Sequence, residues 1–147
     1  MAQQATETTV RPGKESDLDG IRAVDPHLER VEWRTQLVRS ALSRGSCLVC
    51  LEDDRVVGYG VLEHSFFGRG FVPAVYVQEE RRRHGIATLL FDGLEARCRT
   101  DDLFTSTNES NEPMRALLKK RGYSESGVIE NLDPNDKELV FVKNLDA

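Results

Sequence analysis

The sequence predicts an α/β fold, a mixed and mostly antiparallel sheet of about seven strands flanked by about four helices. Segments with alternating apolar residues are interspersed with segments of helical periodicity, and short turns rich in Gly, Asp or Pro separate them. With 147 residues the chain is most simply one domain, residues 1–147, that buries its own core. An apolar fraction of 39% and a charged fraction of 31% are typical of soluble globular proteins.

The first elements are predicted to be one strand and two helices. Thr8–Pro12 is expected to form the strand. The first helix can be capped by Ser16 or Asp17, and it ends at Asp25 because a residue before proline resists helical geometry. The second helix is predicted from about residue 28 to 43, with a glycine two residues later as its stop.

Two strands joined by a tight turn come next. They are predicted at 47–52 and 56–63, with Asp53-Asp54 as the hairpin turn. The following residues, 64–70, contain two glycines and are predicted to be a loop.

The fourth strand is predicted at Phe71–Val77 and contains a proline. Because proline removes a donor from the strand ladder, we expect the well-paired part to begin at about Ala74, after Pro73. The helix that follows the next turn is expected to bury Ile86, Leu89, Leu90 and Leu94, with Gly93 as a close-packing point.

The turn at Arg82–Thr88 brings a run of backbone N–H groups to a helix start. A helix start leaves about four N–H groups without internal partners and carries about half a positive charge. Gly85 has no Cβ and Ala87 is small, so a phosphate or pyrophosphate can approach the main chain. The alternative, from the residues alone, is a solvated charge run that caps the helix.

The last third of the chain predicts a strand, a helix and a closing hairpin. The strand is expected at Leu103–Thr107, and the helix has Asn111 as its N-cap and Gly122 as its end. Two final strands, about 123–130 and 139–143, are joined by a turn of sequence Asp-Pro-Asn-Asp.

Charge and composition disfavour several classes of protein. The net charge of −5 argues against general nucleic-acid binding. No apolar run approaches the roughly 20 residues that span a bilayer, and residues 1–9 lack the pattern of a signal peptide, so a cytoplasmic protein is expected. Cys47 and Cys50 have CxxC spacing, but they lie in a predicted strand without further metal ligands, which favours buried structural thiols and no metal site.

The basic turn links the sequence to a known family. Arg82-Arg83-His84-Gly85-Ile86-Ala87 fits the pattern Gln/Arg-x-x-Gly-x-Gly/Ala, between a predicted strand and an amphipathic helix. In this motif and in the order of its elements, the chain resembles the GNAT acyl-CoA-dependent N-acetyltransferases. The resemblance implies a single-domain GNAT fold, with acetyl-CoA as cosubstrate and direct attack by an amine acceptor in a ternary complex.

The resemblance also implies which residues hold the cofactor. The fourth strand is expected to bind the pantetheine arm through its main chain and the basic turn to bind the pyrophosphate, while Asn111 combines a cofactor contact with its N-cap role. The implied cofactor-binding residues are Val75, Tyr76, Val77, Arg82, Arg83, His84, Gly85, Ile86, Ala87, Thr88 and Asn111.

Two positions depart from the family pattern. The usual thiolate-protonating Tyr corresponds to Leu118, and the Glu that serves as general base in enzymes acting on protein N-termini corresponds to Ser106. Proton transfer therefore needs other groups, and the catalytic candidates are Glu63, His64 and Tyr123, with Tyr76 as another hydroxyl able to protonate the thiolate. The alternatives are surface positions for Glu63 and His64 and core positions for both tyrosines.

The acceptor amine is left open, as a small molecule or a peptide. Phe66, Phe67 and Trp33 are candidates for lining its pocket, or alternatively for closing the core. A homodimer is left open, and neither nucleic acid nor a membrane is expected as a partner. The alternative functions are a CoA-binding domain without catalysis and a phosphate-anchored nucleic-acid or nucleotide module, which the acidic net charge disfavours.

Overall fold

The computed structural model describes residues 7–146, and its strands form one mixed sheet in the order β1-β2-β3-β4-β5-β7-β6. The strands are β1 Thr8–Pro12, β2 Cys47–Glu52, β3 Arg55–Phe66, β4 Arg69–Val77, β5 Asp102–Asn108, β6 Ser124–Asp133 and β7 Asp136–Asn144. The helices are α1 Leu18–Val24, α2 Glu32–Arg44, α3 Ile86–Arg97 and α4 Glu112–Lys120, with 3₁₀ turns at Glu15–Asp17 and Glu79–Arg81. The predicted class, with seven strands and four helices, is confirmed.

The expectation about a signal peptide rested partly on residues 1–6, which lie outside the described residues. Between residues 7 and 146, none of the helices has the length and apolar character needed to cross a bilayer. The described chain divides into two compact units, residues 7–62 with 74–96 and residues 63–73 with 97–146.

The first unit contains β1, β2 and β3 in antiparallel order. The β2–β3 turn is the predicted one, because Asp53 and Asp54 both have positive φ, 49° and 68°, as two-residue hairpin turns require. The core of the first unit is formed by Ile21, Leu28, Val38, Ala41, Leu42, Cys47, Val49, Leu51, Tyr59, Val61 and Ala74. Cys47 and Cys50 are free and buried, and burial raises their pKa to about 12 and about 11, so the prediction of structural thiols is confirmed.

Two details of the first helices differ from expectation. Asp17 is the N-cap residue of α1, one of the two predicted, but its side chain makes no capping hydrogen bond, because its carboxylate pairs with Arg11 at 2.8 Å and accepts the N–H of Lys14. The second helix begins at Glu32, four residues later than predicted, because turn hydrogen bonds hold the preceding segment: the N–H of Leu28 donates to Asp25 O, and that of Val31 donates to His27 O.

A glycine pair in β3 lets α3 lie close to the sheet. A Cβ on Gly60 would lie 2.9 Å from Leu94 Cδ1, and one on Gly58 would lie 2.9 Å from the Tyr76 carbonyl oxygen. The buried residues of α3 are Ile86, Leu90, Phe91 and Leu94. Leu89, expected on this face, is 39% exposed, because Phe91 rather than Leu89 completes the buried stripe.

The second unit contains a hairpin where a loop was predicted. β3 continues to Phe66 and β4 begins at Arg69, so the expected loop at 64–70 is reduced to the turn Phe67-Gly68, with φ of 53° and 75°. The ring of Phe66 stacks on Phe71, with centroids 4.8 Å apart, and packs against Phe104 at 5.2 Å. These aromatic pairs stabilise the ends of both strands.

β4 pairs with β5 in parallel through only three residues. The register joins Gly70, Phe71 and Val72 to the start of β5. The expectation that good pairing begins at Ala74 is therefore wrong for this strand pair, since it stops before Pro73, which has no N–H to donate. β5, β7 and β6 continue in antiparallel order, and β6 is exposed along its whole length.

Candidate functional site

The turn before α3 has the backbone geometry of an anion site. Arg83 and Gly85 both lie in the left-handed region, with φ of 68° and 79°. The first hydrogen bond back into the turn runs from the N–H of Leu89 to Gly85 O, and residues 7–146 supply no backbone acceptor for the N–H groups of Gly85, Ile86 and Ala87. Apart from Gly85 and its two chain neighbours, no residue has a heavy atom within 4 Å of a Cβ built on Gly85, so a ligand can reach these amides.

An ion pair holds the start of this turn against β2. Arg81 Nε and Nη2 each lie 2.6 Å from a carboxylate oxygen of Glu52, a bidentate arrangement. Hydrogen bonding to Arg81 lowers the pKa of Glu52. Arg81 therefore positions the turn, a role that the sequence analysis did not assign.

Two other residues of the basic run, Arg82 and His84, also make contacts within the chain. Arg82 donates from Nε to Val77 O at 3.1 Å, and its guanidinium lies 5.3 Å from the centroid of the Tyr76 ring. His84 Nδ1 lies 2.9 Å from Arg82 O. Because a carbonyl oxygen can only accept, the Nδ1–H group is the donor of this hydrogen bond. These two side chains are therefore engaged within the chain, whereas main-chain N–H groups of the turn are accessible to a ligand.

Tyr76, between Val75 and Val77 on β4, is half-buried among other rings. It stacks on Tyr59, with centroids 6.4 Å apart and an interplanar angle of 26°, and meets the ring of His27 edge-on at 6.3 Å. Burial raises the pKa of Tyr76, so its hydroxyl is neutral near pH 7.

Beneath Tyr76 lies a buried polar network that the sequence analysis missed. The Tyr59 hydroxyl donates to Asp25 Oδ2 at 2.6 Å, and Arg34 Nε lies 3.3 Å from the same oxygen. Asp25 Oδ1 accepts the N–H of His27. Burial raises the pKa of Tyr59. The network joins the α1–α2 connection to β3 and α2.

The second unit contains Asn111 and the catalytic candidates Glu63, His64 and Tyr123, whereas Thr88 lies on α3 in the first unit. Asn111 is the N-cap of α4, as predicted, and its side chain accepts the N–H of Met114 at 3.3 Å. His64 Nε2 accepts the N–H of Arg99 at 3.0 Å, and burial lowers the pKa of His64. Glu63 is half-buried on β3, whereas Tyr123 is buried, with Lys143 Nζ 5.6 Å from its ring centroid.

The two positions that depart from the family pattern have distinct surroundings. Leu118 has no exposed surface. Ser106, on β5, donates a 2.7 Å hydrogen bond to Glu138 Oε2 on β7. Glu138 was not among the predicted residues, because only the strand register brings it to Ser106.

The aromatic candidates for the acceptor pocket are found in both units. Trp33, on α2 in the first unit, is 61% exposed. In the second unit, Phe66 lies within the ring cluster described above, whereas Phe67 is 88% exposed at the hairpin turn. Across residues 7–146 no group of three His, Cys, Asp or Glu side chains is arranged to hold a metal ion.

The chain resembles known proteins in both sequence and fold. The family described as "Acetyltransferase (GNAT) family" matches residues 15–123. An acetyltransferase of the GNAT family from Bacillus cereus ATCC 10987 is 30% identical, with a TM-score of 0.86 over 94% of this chain and 97% of that one. No curated protein sequence matches the chain.

Two more distant structures share the fold. Ard1 from Thermoplasma volcanium is 17% identical, with a TM-score of 0.82 over 93% of this chain and 97% of that one. Arabidopsis thaliana Naa50, in complex with the bisubstrate analogue CoA-Ac-MVNAL, is 19% identical, with a TM-score of 0.76 over 93% of this chain and 98% of that one.

Proposed function

The chain belongs to the GNAT acetyltransferase family, and we propose that it transfers an acetyl group from acetyl-CoA to an amine of a small molecule or peptide. The acceptor amine attacks the thioester directly in a ternary complex, without an acyl-enzyme. This reaction needs a bound diphosphate and pantetheine, a polarised carbonyl and a route for the proton of the amine.

The observation that carries the proposal is the turn before α3. Arg83 and Gly85 have left-handed backbone, and residues 7–146 supply no backbone acceptor for the N–H groups of Gly85, Ile86 and Ala87. Beyond the two chain neighbours of Gly85, no heavy atom of another residue lies within 4 Å of a Cβ built on it. The start of α3 adds its positive dipole end. Main-chain amides of this kind suit the diphosphate of acetyl-CoA, and the adjacent Arg82, Arg83 and His84 contribute positive or donor groups around it.

The pantetheine arm is assigned to the main chain of Val75, Tyr76 and Val77. The β4–β5 register ends at Val72, ahead of these residues, which supports an added, strand-like ligand on this part of β4. Arg82 bonds the Val77 carbonyl oxygen and lies over Tyr76, so it links the strand to the diphosphate turn. Asn111 is assigned to the cofactor by family resemblance.

The acceptor is assigned only by class. The Naa50 ligand joins CoA to the peptide MVNAL, which makes peptide α-amines the first class to test here. Polyamines and amine-containing antibiotics form the second class. Trp33 and Phe67, two large exposed aromatic side chains, are candidates for contacts with an acceptor.

A CoA-binding domain without catalysis is the second candidate. It is favoured by the two departures from the family pattern, because a buried Leu118 and a serine at position 106 replace the usual Tyr and Glu. Calorimetric titration with acetyl-CoA tests binding, and release of the CoA thiol with a panel of peptide, polyamine and antibiotic amines tests catalysis. Binding with turnover of at least one amine supports the proposed enzyme. Binding without any turnover supports the second candidate, and absence of binding overturns both.

A further inference from the structure

Direct attack on a thioester requires a group that takes the proton of the amine. Members of the family that act on protein N-termini often carry a Glu as general base at the position that Ser106 occupies here. The hydroxyl of Ser106 is itself too weak a base. A carboxylate at this point would have to come from another strand.

Glu138 supplies such a carboxylate from β7. Asn108 on β5 is its register partner, and Ser106 lies two residues earlier on the same strand. Because side chains alternate along a strand, Ser106 and Asn108 project from the same face as Glu138. The 2.7 Å distance from Ser106 Oγ to Glu138 Oε2 shows that the carboxylate reaches across to the serine hydroxyl.

The surroundings of Glu138 favour a base that titrates closer to neutrality than an ordinary Glu. Burial raises its pKa most, the Ser106 hydrogen bond opposes the shift, and the charges of Asp133 and Asp136 raise the pKa further. Both aspartates are held in place, Asp133 by Asn108 Nδ2 at 2.9 Å and Asp136 by Ser110 Oγ at 2.6 Å. These are the polar groups that face Glu138 from β5, β6 and β7.

We infer that Glu138 accepts the proton of the attacking amine through the hydroxyl of Ser106. This inference rests on the proposed acetyl transfer. In this mechanism Ser106 relays the proton, and Glu138 on β7 supplies the carboxylate that other family members carry at position 106 on β5.

The step balances without any further reactant. The amine nitrogen forms a bond to the thioester carbonyl carbon, and the C–S bond breaks with its electron pair on sulfur. The nitrogen proton passes to Ser106 Oγ as the Ser106 hydroxyl proton passes to Glu138 Oε2. Solvent protonates the CoA thiolate, and Glu138 then loses its proton to solvent.

The test compares Glu138→Gln with the wild-type chain, using acetyl-CoA and the best amine of the panel. We expect kcat to fall about 100-fold, as for loss of a general base, while the calorimetric Kd for acetyl-CoA changes less than about twofold. Glu130→Gln is the matched control, since Glu130 is an exposed carboxylate of the same hairpin. Its kcat should stay within about twofold of the wild-type value.

The pH profile separates proton transfer from a structural role. At low pH, both the amine and Glu138 must lose a proton, so log kcat/KM should rise with a slope of two in the wild type and of one in Glu138→Gln. Ser106→Ala removes the relay between the amine and Glu138, so the ionisation of Glu138 should disappear from the profile and the slope should fall to one, as in Glu138→Gln. This variant carries the test if Glu138→Gln does not fold.

A double variant tests whether a carboxylate on β5 restores the activity that Glu138→Gln loses. Adding Ser106→Glu to Glu138→Gln places the carboxylate directly on β5, and it should recover at least about tenfold in kcat with a slope of two. Retention of wild-type kcat and slope by Glu138→Gln, with normal turnover by the parent chain, overturns this inference alone. Loss of kcat without a change of slope and without rescue also overturns it. If the wild-type chain binds no acetyl-CoA or turns over no amine, the proposed function falls and this inference falls with it.

Discussion

The Tyr59 hydroxyl donates a 2.6 Å hydrogen bond to Asp25, a carboxylate with no exposed surface. The same Asp25 accepts the N–H of His27 and lies 3.3 Å from Arg34 Nε. One side chain thus ties the connection between α1 and α2 to the sheet, beneath the ring of Tyr76.

Replacing Tyr59 with Phe should destabilise the chain by about 1–3 kcal/mol, because the buried carboxylate loses a hydrogen bond that the ring cannot replace. Urea unfolding measures the change. Trp33→Phe, at a residue 61% exposed on α2, is the control and should stay within about 0.5 kcal/mol of the wild type. Equal effects for the two variants would contradict a structural role for the network.

Gly85→Glu should abolish acetyl-CoA binding while the chain still folds. The new side chain enters open space, since nothing lies within 4 Å of the Cβ position, but its charge and bulk occupy the proposed diphosphate site. Gly45→Glu is a matched control, because Gly45 also has positive φ, 72°, with nothing within 4 Å. Both variants carry similar backbone strain, so calorimetry should show loss of binding only at position 85. Normal affinity in folded Gly85→Glu would refute the site.

Gly58→Ala and Gly60→Ala should differ although both lie on β3 beneath α3. At Gly58 the new Cβ would lie 2.9 Å from a backbone oxygen, that of Tyr76, whereas at Gly60 it would meet the flexible end of Leu94 at the same distance. We expect a loss of about 1–3 kcal/mol for Gly58→Ala and less for Gly60→Ala. Gly58→Ala should also weaken acetyl-CoA binding, since it displaces the β4 main chain. Equal stability losses in urea unfolding would count against this packing.

The Glu52–Arg81 pair should make stability depend on pH. Because hydrogen bonding to Arg81 lowers the pKa of Glu52 in the folded chain, the pair stabilises above the unfolded pKa of about 4.3, and this contribution is lost as pH falls through the folded value. Wild type should therefore be more stable than Glu52→Gln at pH 7, and the gap should close in acid. Urea unfolding across this range measures the gap, and a constant difference would exclude the pair as its source.

Local patterns predicted most elements of the fold but missed where some of them begin. Glycine, proline and Asn111 acted as expected at helix ends, and the hairpin at Asp53-Asp54 was recognised. The prediction of a loop at 64–70 was wrong, because stacking of Phe66 on Phe71 extends both β3 and β4. The predicted start of α2 was wrong because backbone carbonyl groups of Asp25 and His27 hold the residues before α2 in turns.

The sequence by itself determined the order of the strands and helices and the position of the turn before α3, the proposed diphosphate site, since periodicity and the backbone preferences of single residues depend on near neighbours. Only the tertiary structure decided which side chains meet across the sheet. Asp25 with Tyr59, Glu52 with Arg81 and Ser106 with Glu138 are separated by 34, 29 and 32 residues along the chain. Such pairs depend on strand register and burial, which local sequence does not encode.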